Sequence, residues 1–162
     1  MRTWYWSRPL LLAGLFAGLL FAGQAAAQGA VADPAASDPA PNTVVSREDA
    51  AAIQQVIRAQ LDAFIADDAA KAYSFASPGI RGMFRTPEIF LDMVRRGYPV
   101  VYRPAGVVFL KAEKDGDEVL QPVQMTDAAG QLWLALYTMQ RQSGGAWLTN
   151  GCRLGRSQGQ VT

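Results

Sequence analysis

The chain has 162 residues with 15 basic and 14 acidic side chains, a formal net charge of +1, no histidine and one cysteine. The lack of histidine excludes Ser-His-Asp and Cys-His catalysis within one chain and makes zinc, copper and haem sites improbable, and a lone cysteine cannot form an internal disulfide. A nucleic-acid partner would call for a strong basic excess, which this chain lacks, so we expect no nucleic-acid partner. From the lack of histidine we also expect no metal and no cofactor.

The first 27 residues have the pattern of a secretory signal peptide. Two arginines and no acid flank the start of an apolar run over residues 9–22, and Ala25-Ala26-Ala27 supplies small residues for cleavage before Gln28. The run is about fourteen residues long, short of the roughly twenty that a membrane-spanning helix needs. We therefore expect export to the periplasm or the extracellular space without a stable membrane anchor, with retention of the segment as the alternative.

The composition of the next segment, residues 28–45, predicts a disordered linker. It is rich in Ala, Pro, Asp and Gly and has few large apolar side chains, so it cannot bury enough surface to offset its ordering entropy. A single domain is predicted over residues 46–154, followed by a flexible tail over residues 155–162. A domain of about 110 residues can hold one hydrophobic core.

Three helices are predicted at the start of this domain. Ser46 is expected to cap a long amphipathic helix that ends near Ala66. A second helix over residues 69–75 is expected to stop at Ser77-Pro78-Gly79. A third begins at Thr86-Pro87 and ends at Gly97.

From Tyr98 onward the spacing of the apolar residues changes from helical to extended, which predicts strands. Gly-containing turns separate the last four of them, so an antiparallel meander of four to five strands is expected. Pro122 cannot donate to a sheet ladder and is expected at an edge or a bulge. The predicted fold class is α+β, with three helices packed on a curved meander. The predicted strands span residues 100–102, 107–112, 119–126, 132–141 and 146–152.

The segment Leu132–Met139 is apolar at both alternating sets of positions. A half-solvated antiparallel strand would alternate, so both faces of this strand are expected to be covered. Three helices cover only one side of a sheet. The other side would need a partner subunit, a pocket that excludes water, or loops that fold over it.

Three separated segments carry a resemblance to a known family. They are SPGIRGMF at residues 77–84, FLDMVRRGYP at 90–99 and WLTNGC at 147–152. In this order they resemble the family catalogued as domain of unknown function 4864, whose members are small secreted bacterial proteins. The resemblance brings no catalytic residue with it.

The order of the elements is also similar to the cone-shaped nuclear transport factor 2-like and cystatin-like folds. That likeness implies a cavity between the helices and the concave sheet, and a sheet face that often makes a dimer. The candidate cavity residues are Tyr73, Gln124, Trp133 and Tyr137, with ordinary core packing as the alternative.

Charged residues suggest two weaker hypotheses. Converging guanidiniums could bind an anionic small molecule, although Asp92 and Arg96 would also form an ordinary exposed pair. A buried carboxylate among Asp62, Asp67 and Asp68 could act as a base, although a solvated helix flank and helix capping explain all three. The candidate anion-binding residues are Arg81, Arg85, Arg95 and Arg96.

The acidic run from Asp115 to Glu118 and the single cysteine, Cys152, are both predicted to have structural roles. The run from Asp115 to Glu118 lacks the spacing of a calcium loop and is predicted to be a hairpin turn. Cys152 has no histidine to hold it as a thiolate and is interpreted as a buried small hydrophobe.

These observations favour a non-enzymatic secreted domain that binds a small hydrophobic ligand in a cavity or forms a homodimer through its sheet face. The alternative is a small cofactor-free enzyme, an isomerase or hydrolase using Asp and Tyr for acid-base chemistry. A third possibility is an accessory of a larger envelope complex, tethered through residues 28–45.

Overall fold

The computed structural model describes residues 44–157. The predicted signal peptide, nearly all of the predicted linker and the last five residues of the predicted tail lie outside the described residues. Within residues 44–157 the fold is α+β, with five helices followed by an antiparallel five-stranded sheet. None of the helices described is long and apolar enough to span a membrane.

Side-chain caps begin the two longest helices as the sequence predicts. The Ser46 hydroxyl accepts from the Asp49 N–H at 3.0 Å, and the Thr86 hydroxyl accepts from the Ile89 N–H at 3.4 Å. Pro87 follows Thr86 at the first helical position, where its missing N–H leaves no bond unmade. The helices are α1 (Arg47–Ile65), α2 (Ala69–Ser74), α3 (Pro78–Met83), α4 (Pro87–Gly97) and α5 (Pro99–Tyr102).

Two of these helices were not predicted, and in both a proline begins the helix. Ser77 was expected to end a helix, but its hydroxyl accepts from the Ile80 N–H and caps α3, with Pro78 at the first helical position. Residues 100–102 were expected to be a strand, but Pro99 begins α5 and its carbonyl accepts from the Arg103 N–H at 3.0 Å. The prediction of three helices therefore undercounts by two short ones.

The five strands form one sheet in which β3 is central. Along the main path the order is β1-β3-β4-β5, and β2 pairs with β3 where β1 has ended. Glycines with positive φ occupy the three hairpin turns, at Gly116, Gly130 and Gly145. The strands are β1 (Gly106–Phe109), β2 (Glu113–Asp115), β3 (Glu118–Thr126), β4 (Leu132–Arg141) and β5 (Trp147–Arg156).

Pro122 was predicted at an edge or a bulge, and this prediction was wrong. The residue lies at a break in the ladder. It is in central β3, opposite the gap between β1 and β2, and its carbonyl still accepts from the Leu110 N–H. Proline cannot return a bond to the Leu110 carbonyl. The Gln121 amide takes that place, since its Nε2 donates to Leu110 O at 2.8 Å.

One face of the sheet packs against the helices and holds the core. Directly opposed residues of neighbouring antiparallel strands point to the same face of a sheet. The helix α1 packs on the core face with its buried side chains Ile53, Ile57 and Phe64. The sheet side chains buried there are Val119, Gln121, Val123, Met125, Ala135, Tyr137 and Met139.

The opposite face carries both apolar and polar side chains and is only partly covered. Val108, Gln124 and Leu134 lie in one row across three strands. Leu134 keeps 39% and Val108 55% of its surface exposed. The expectation that a second layer covers this face of β4 stays a prediction.

Candidate functional site

A cavity of about 560 Å³ lies between the helices and the sheet. This volume falls within the range of about 300–1,000 Å³ that is usual for small-molecule sites. Met83, which is 67% exposed, lies among its lining residues. The large apolar side chains contributed by the helices and by the residue after α3 are Phe64, Ile80, Met83, Phe84, Phe90, Met93, Val94 and Val101.

The cavity continues around the edge strand β5. Leu120, Thr138 and Arg153 line it, although they lie on the opposite sheet face from Tyr137. Hydrogen-bonded strands leave no opening between them, so the two parts must join around an edge. The cavity thus has an apolar part under the helices and a more polar part that includes Glu118.

All three segments that carry the family resemblance line this cavity. Residues 77–84 contribute Ile80 and Phe84, residues 90–99 contribute Phe90 and Met93, and residues 147–152 contribute the strand from Thr149 to Cys152. They are far apart in sequence, so only the tertiary fold brings them together.

A line of hydrogen bonds joins two of these segments to the sheet. The Ser77 hydroxyl donates to Asn150 Oδ1 at 2.6 Å, and Asn150 Nδ2 donates to Glu118 Oε1 at 2.6 Å. Asn150 is the extra residue of the register shift that interrupts the β4–β5 ladder at Thr138/Met139, since Thr138 pairs with Gly151 and Met139 with Thr149. The shift is a bulge of the kind that redirects a side chain.

A buried amide fixes the wall on the α1 side. Gln60 is 2% exposed, and its Nε2 donates to Ala72 O at 3.0 Å while its Oε1 accepts from the Thr149 hydroxyl at 2.9 Å. These two bonds satisfy a polar group that would otherwise be costly to bury. Sequence reasoning missed Gln60, although its place three residues after Ile57 puts it on the apolar stripe of α1.

Tyr137 and Cys152 are directly opposed on β4 and β5 and share the helix-facing side. The Tyr137 hydroxyl is buried and has no hydrogen-bond partner among residues 44–157. Burial raises the pKa of Tyr137 well above its ordinary value, and the adjacent Cys152 raises it further. Burial also raises the pKa of the Cys152 thiol to about 12. Both groups are therefore protonated and uncharged at neutral pH.

Of the four candidate cavity residues, Tyr137 lines the cavity and the other three lie outside its lining. The Tyr73 hydroxyl donates to the carbonyls of Arg81 and Phe84, at 2.7 and 2.5 Å. Trp133 donates from Nε1 to Asp127 Oδ2 at 2.8 Å, and its ring lies under Arg156. Gln124 is on the opposite sheet face.

The candidate anion-binding arginines do not converge on the cavity. Arg95 pairs with Asp67 at 3.0 Å, and Arg96 pairs with Asp92 at 2.6 Å. The latter is the ordinary exposed pair that the sequence offered as the alternative. Arg81 lies at the end of α3 and Arg85 in the segment before α4.

Asp67 joins the α1–α2 turn to α4 and α5. It accepts from Tyr102 and Arg95 and pairs with Arg103 at 3.1 Å. The Tyr102 hydrogen bond and then the arginines lower the pKa of this carboxyl, which opposes a role as a base. Asp68 caps α2 by accepting from the Lys71 N–H at 3.0 Å.

The run from Asp115 to Glu118 forms the β2–β3 turn, as predicted, with Gly116 at φ +61°. Across residues 44–157 no three metal-ligating side chains come together in a group that could hold an ion.

Comparison with known proteins places the chain in a family. A solved structure, that of Aln2 from a Streptomyces species, aligns with a TM-score of 0.45 at 18% identity, over 70% of this chain and 94% of Aln2. No curated protein matches the chain. The family described as Domain of unknown function (DUF4864) matches residues 46–162, which include all three of the segments that line the cavity. The chain belongs to the DUF4864 family.

Proposed function

We propose that this domain is a non-enzymatic binding module that holds a small apolar molecule in the cavity between its helices and its sheet. One observation carries the proposal: three separated segments, which also carry the family resemblance, meet around one mostly apolar cavity. Buried polar groups such as Gln60 and Ser77 are bonded within the protein, so the cavity wall is organised before any ligand enters.

The protonation state of Tyr137 and Cys152 supports binding over catalysis. A nucleophilic cysteine needs a lowered pKa, and a tyrosine base needs an accessible phenolate. Tyr137 and Cys152 both have raised pKa values. The enzyme alternative would have to use Asp115 or Glu118, which lie in the polar part of the cavity, and the Glu118 carboxylate is already engaged by Asn150.

Native mass spectrometry of the purified full chain, followed by solvent extraction, tests this proposal. We expect a small-molecule mass on the wild type and on Met93→Leu, which keeps the apolar volume. We expect the mass to be lost on Met93→Trp, because a bulky ring at this half-buried lining position would fill the cavity. Equal retention by both variants would place the ligand elsewhere.

A second candidate function is homodimerisation through the sheet face away from the helices. Val108 and Leu134 support it, because they stay partly exposed on either side of Gln124 in one row, and apolar side chains grouped on an exposed face often mark an interface.

We also propose that the domain is exported and works in the periplasm or outside the cell. The support is the charged, apolar and small-residue pattern of residues 1–27. Amino-terminal sequencing of the exported protein tests it, and the expected first residue is Gln28.

A further inference from the structure

Tyr137 is the one lining residue of the cavity that the described fold leaves with a buried, unpaired side-chain polar atom. A buried hydroxyl without a partner costs about 1–3 kcal/mol. The other buried polar side chains that line the cavity, those of Gln60 and Thr149, are hydrogen-bonded within the protein. The Tyr137 hydroxyl is therefore the one buried side-chain polar group of this lining that has a hydrogen bond still to make.

Cys152 does not satisfy the Tyr137 hydroxyl. The directly opposed Cys152 thiol is close enough to raise the pKa of the Tyr137 hydroxyl, but the pair does not reach hydrogen-bonding distance and angle. A thiol is in any case a weak donor and a weak acceptor. The hydroxyl retains a proton to donate, and the groups around it on the helix side are largely apolar.

The surroundings of this hydroxyl disfavour a charged ligand group. The helix-side lining consists of uncharged side chains, including Phe64, Phe90 and Val94. Asp115, Glu118 and Arg153 also line the cavity, but they lie on the opposite face of the sheet. A carboxylate placed beside Tyr137 would lose its hydration without gaining a cation.

We infer that the ligand is an uncharged apolar molecule with a carbonyl-type oxygen, and that this oxygen accepts a hydrogen bond from the Tyr137 hydroxyl. The inference rests on the proposed binding function and names the chemistry of its ligand. Tyr137 supplies the polar contact that orients the ligand, while the aromatic and methionine side chains supply apolar contact area.

Two matched fluorescent probes and two matched variants test this inference. The probes are prodan, a neutral naphthalene ketone, and its analogue in which a methylene replaces the carbonyl. The variants are Tyr137→Phe and Tyr98→Phe, because Tyr98 also lines the cavity but is only half-buried. Each protein is titrated with each probe, and the carbonyl stretch of isotope-labelled prodan is recorded in the bound state.

We expect Tyr137→Phe to weaken prodan binding by about five- to tenfold and to leave binding of the methylene analogue within about twofold. The carbonyl stretch should lie at lower frequency in the wild type and in Tyr98→Phe than in Tyr137→Phe. The comparison of two probes on two proteins removes the general effects of the substitution.

The possible failures are distinguishable. Binding of both probes with no selective loss in Tyr137→Phe would overturn the inference and leave the proposed function standing. That result would indicate that the hydroxyl is satisfied inside the protein, for example through a water shared with Gln121 Oε1, its unpaired cross-strand neighbour. Binding of neither probe to any of the proteins would count against the proposed function itself.

Discussion

The Ser77 hydroxyl donates a 2.6 Å hydrogen bond to Asn150 Oδ1, a residue 73 positions further along the chain. The same hydroxyl accepts from the Ile80 N–H and so caps α3. One buried oxygen therefore starts a helix of the cavity wall and attaches it to β5. Neighbouring backbone bonds, from Ser77 N–H to Thr149 O and from Thr149 N–H to Phe75 O, hold the same junction.

Ser77→Ala should lower the free energy of unfolding by about 2 kcal/mol, because it removes the cap and leaves Asn150 Oδ1 without its donor. The matched control is Ser46→Ala, which removes an exposed cap and should cost about 1 kcal/mol or less. Urea unfolding of the two variants measures both values. Equal losses would mean that the bond to Asn150 contributes nothing measurable.

Tyr137→Phe should leave the ligand-free protein as stable as the wild type or more stable, by up to about 1 kcal/mol, because it removes a buried hydroxyl that has no partner. Tyr73→Phe should instead destabilise by about 1 kcal/mol, because it leaves the carbonyls of Arg81 and Phe84 without their donor. Thermal and urea unfolding of both variants, after extraction of any bound molecule, make the comparison. A larger loss for Tyr137→Phe than for Tyr73→Phe would show that Tyr137 has a partner within the protein.

Alkaline pH should destabilise the protein through Cys152. Its folded pKa of about 12 lies above the ordinary thiol value of about 8.5, so the folded state holds the proton more tightly than the unfolded state. The resulting stabilisation is fully present below the unfolded pKa and is lost as the pH rises toward 12. Between the two pKa values the free energy of unfolding should fall by about 1.4 kcal/mol per pH unit from this group.

Cys152→Ala isolates this contribution below pH 10, because the one other group within residues 44–157 whose pKa depends on Cys152 is Tyr137, and burial keeps Tyr137 protonated in the folded state of both proteins. Urea unfolding between pH 8 and 10 should show a steeper decline for the wild type than for the variant. Parallel curves would mean that the thiol is solvated in the folded state.

The sheet face should support self-association that a single charge disrupts. Leu134→Glu places a carboxylate in the row shared with Val108 and Gln124, so we expect it to convert a dimer to a monomer with an unchanged circular dichroism spectrum. Ile89→Glu, at a 50% exposed position on α4, is the control and should leave the dimer intact. Sedimentation equilibrium measures the mass of the wild type and of both variants in solution. A monomeric wild type would contradict the dimer.

Elements with strong local signals could be predicted from the sequence. The Ser46 and Thr86 caps, the apolar stripe of α1 and the three glycine turns each depend on neighbouring residues, and all of them are in the structure. The prediction for β4, residues 132–141, matches the observed strand.

Where local signals conflicted, the prediction went wrong. Ser77-Pro78-Gly79 can end one helix or begin the next, and it begins α3. Val100 and Val101 favour a strand by composition, yet Pro99 starts a helical turn there and both valines are buried in the core. Burial in the tertiary fold outweighed strand propensity.

The site could be predicted only in part. Tyr137 was found because it lies on a strand that is apolar at both alternating sets of positions. Glu118, Asn150 and Ser77 were missed as site residues because their contacts join positions 32 and 73 residues apart, and no periodicity along the chain encodes such pairs.

The most direct test of the binding site is methyl NMR of the purified chain, labelled at its methionine methyl groups and titrated with prodan. Met83 and Met93 line the cavity, whereas Met125 and Met139 are fully buried outside its lining and serve as internal references. The account predicts that the Met83 and Met93 resonances shift with a common saturation curve while those of Met125 and Met139 stay in place. Saturable binding that leaves Met83 and Met93 unmoved would contradict it.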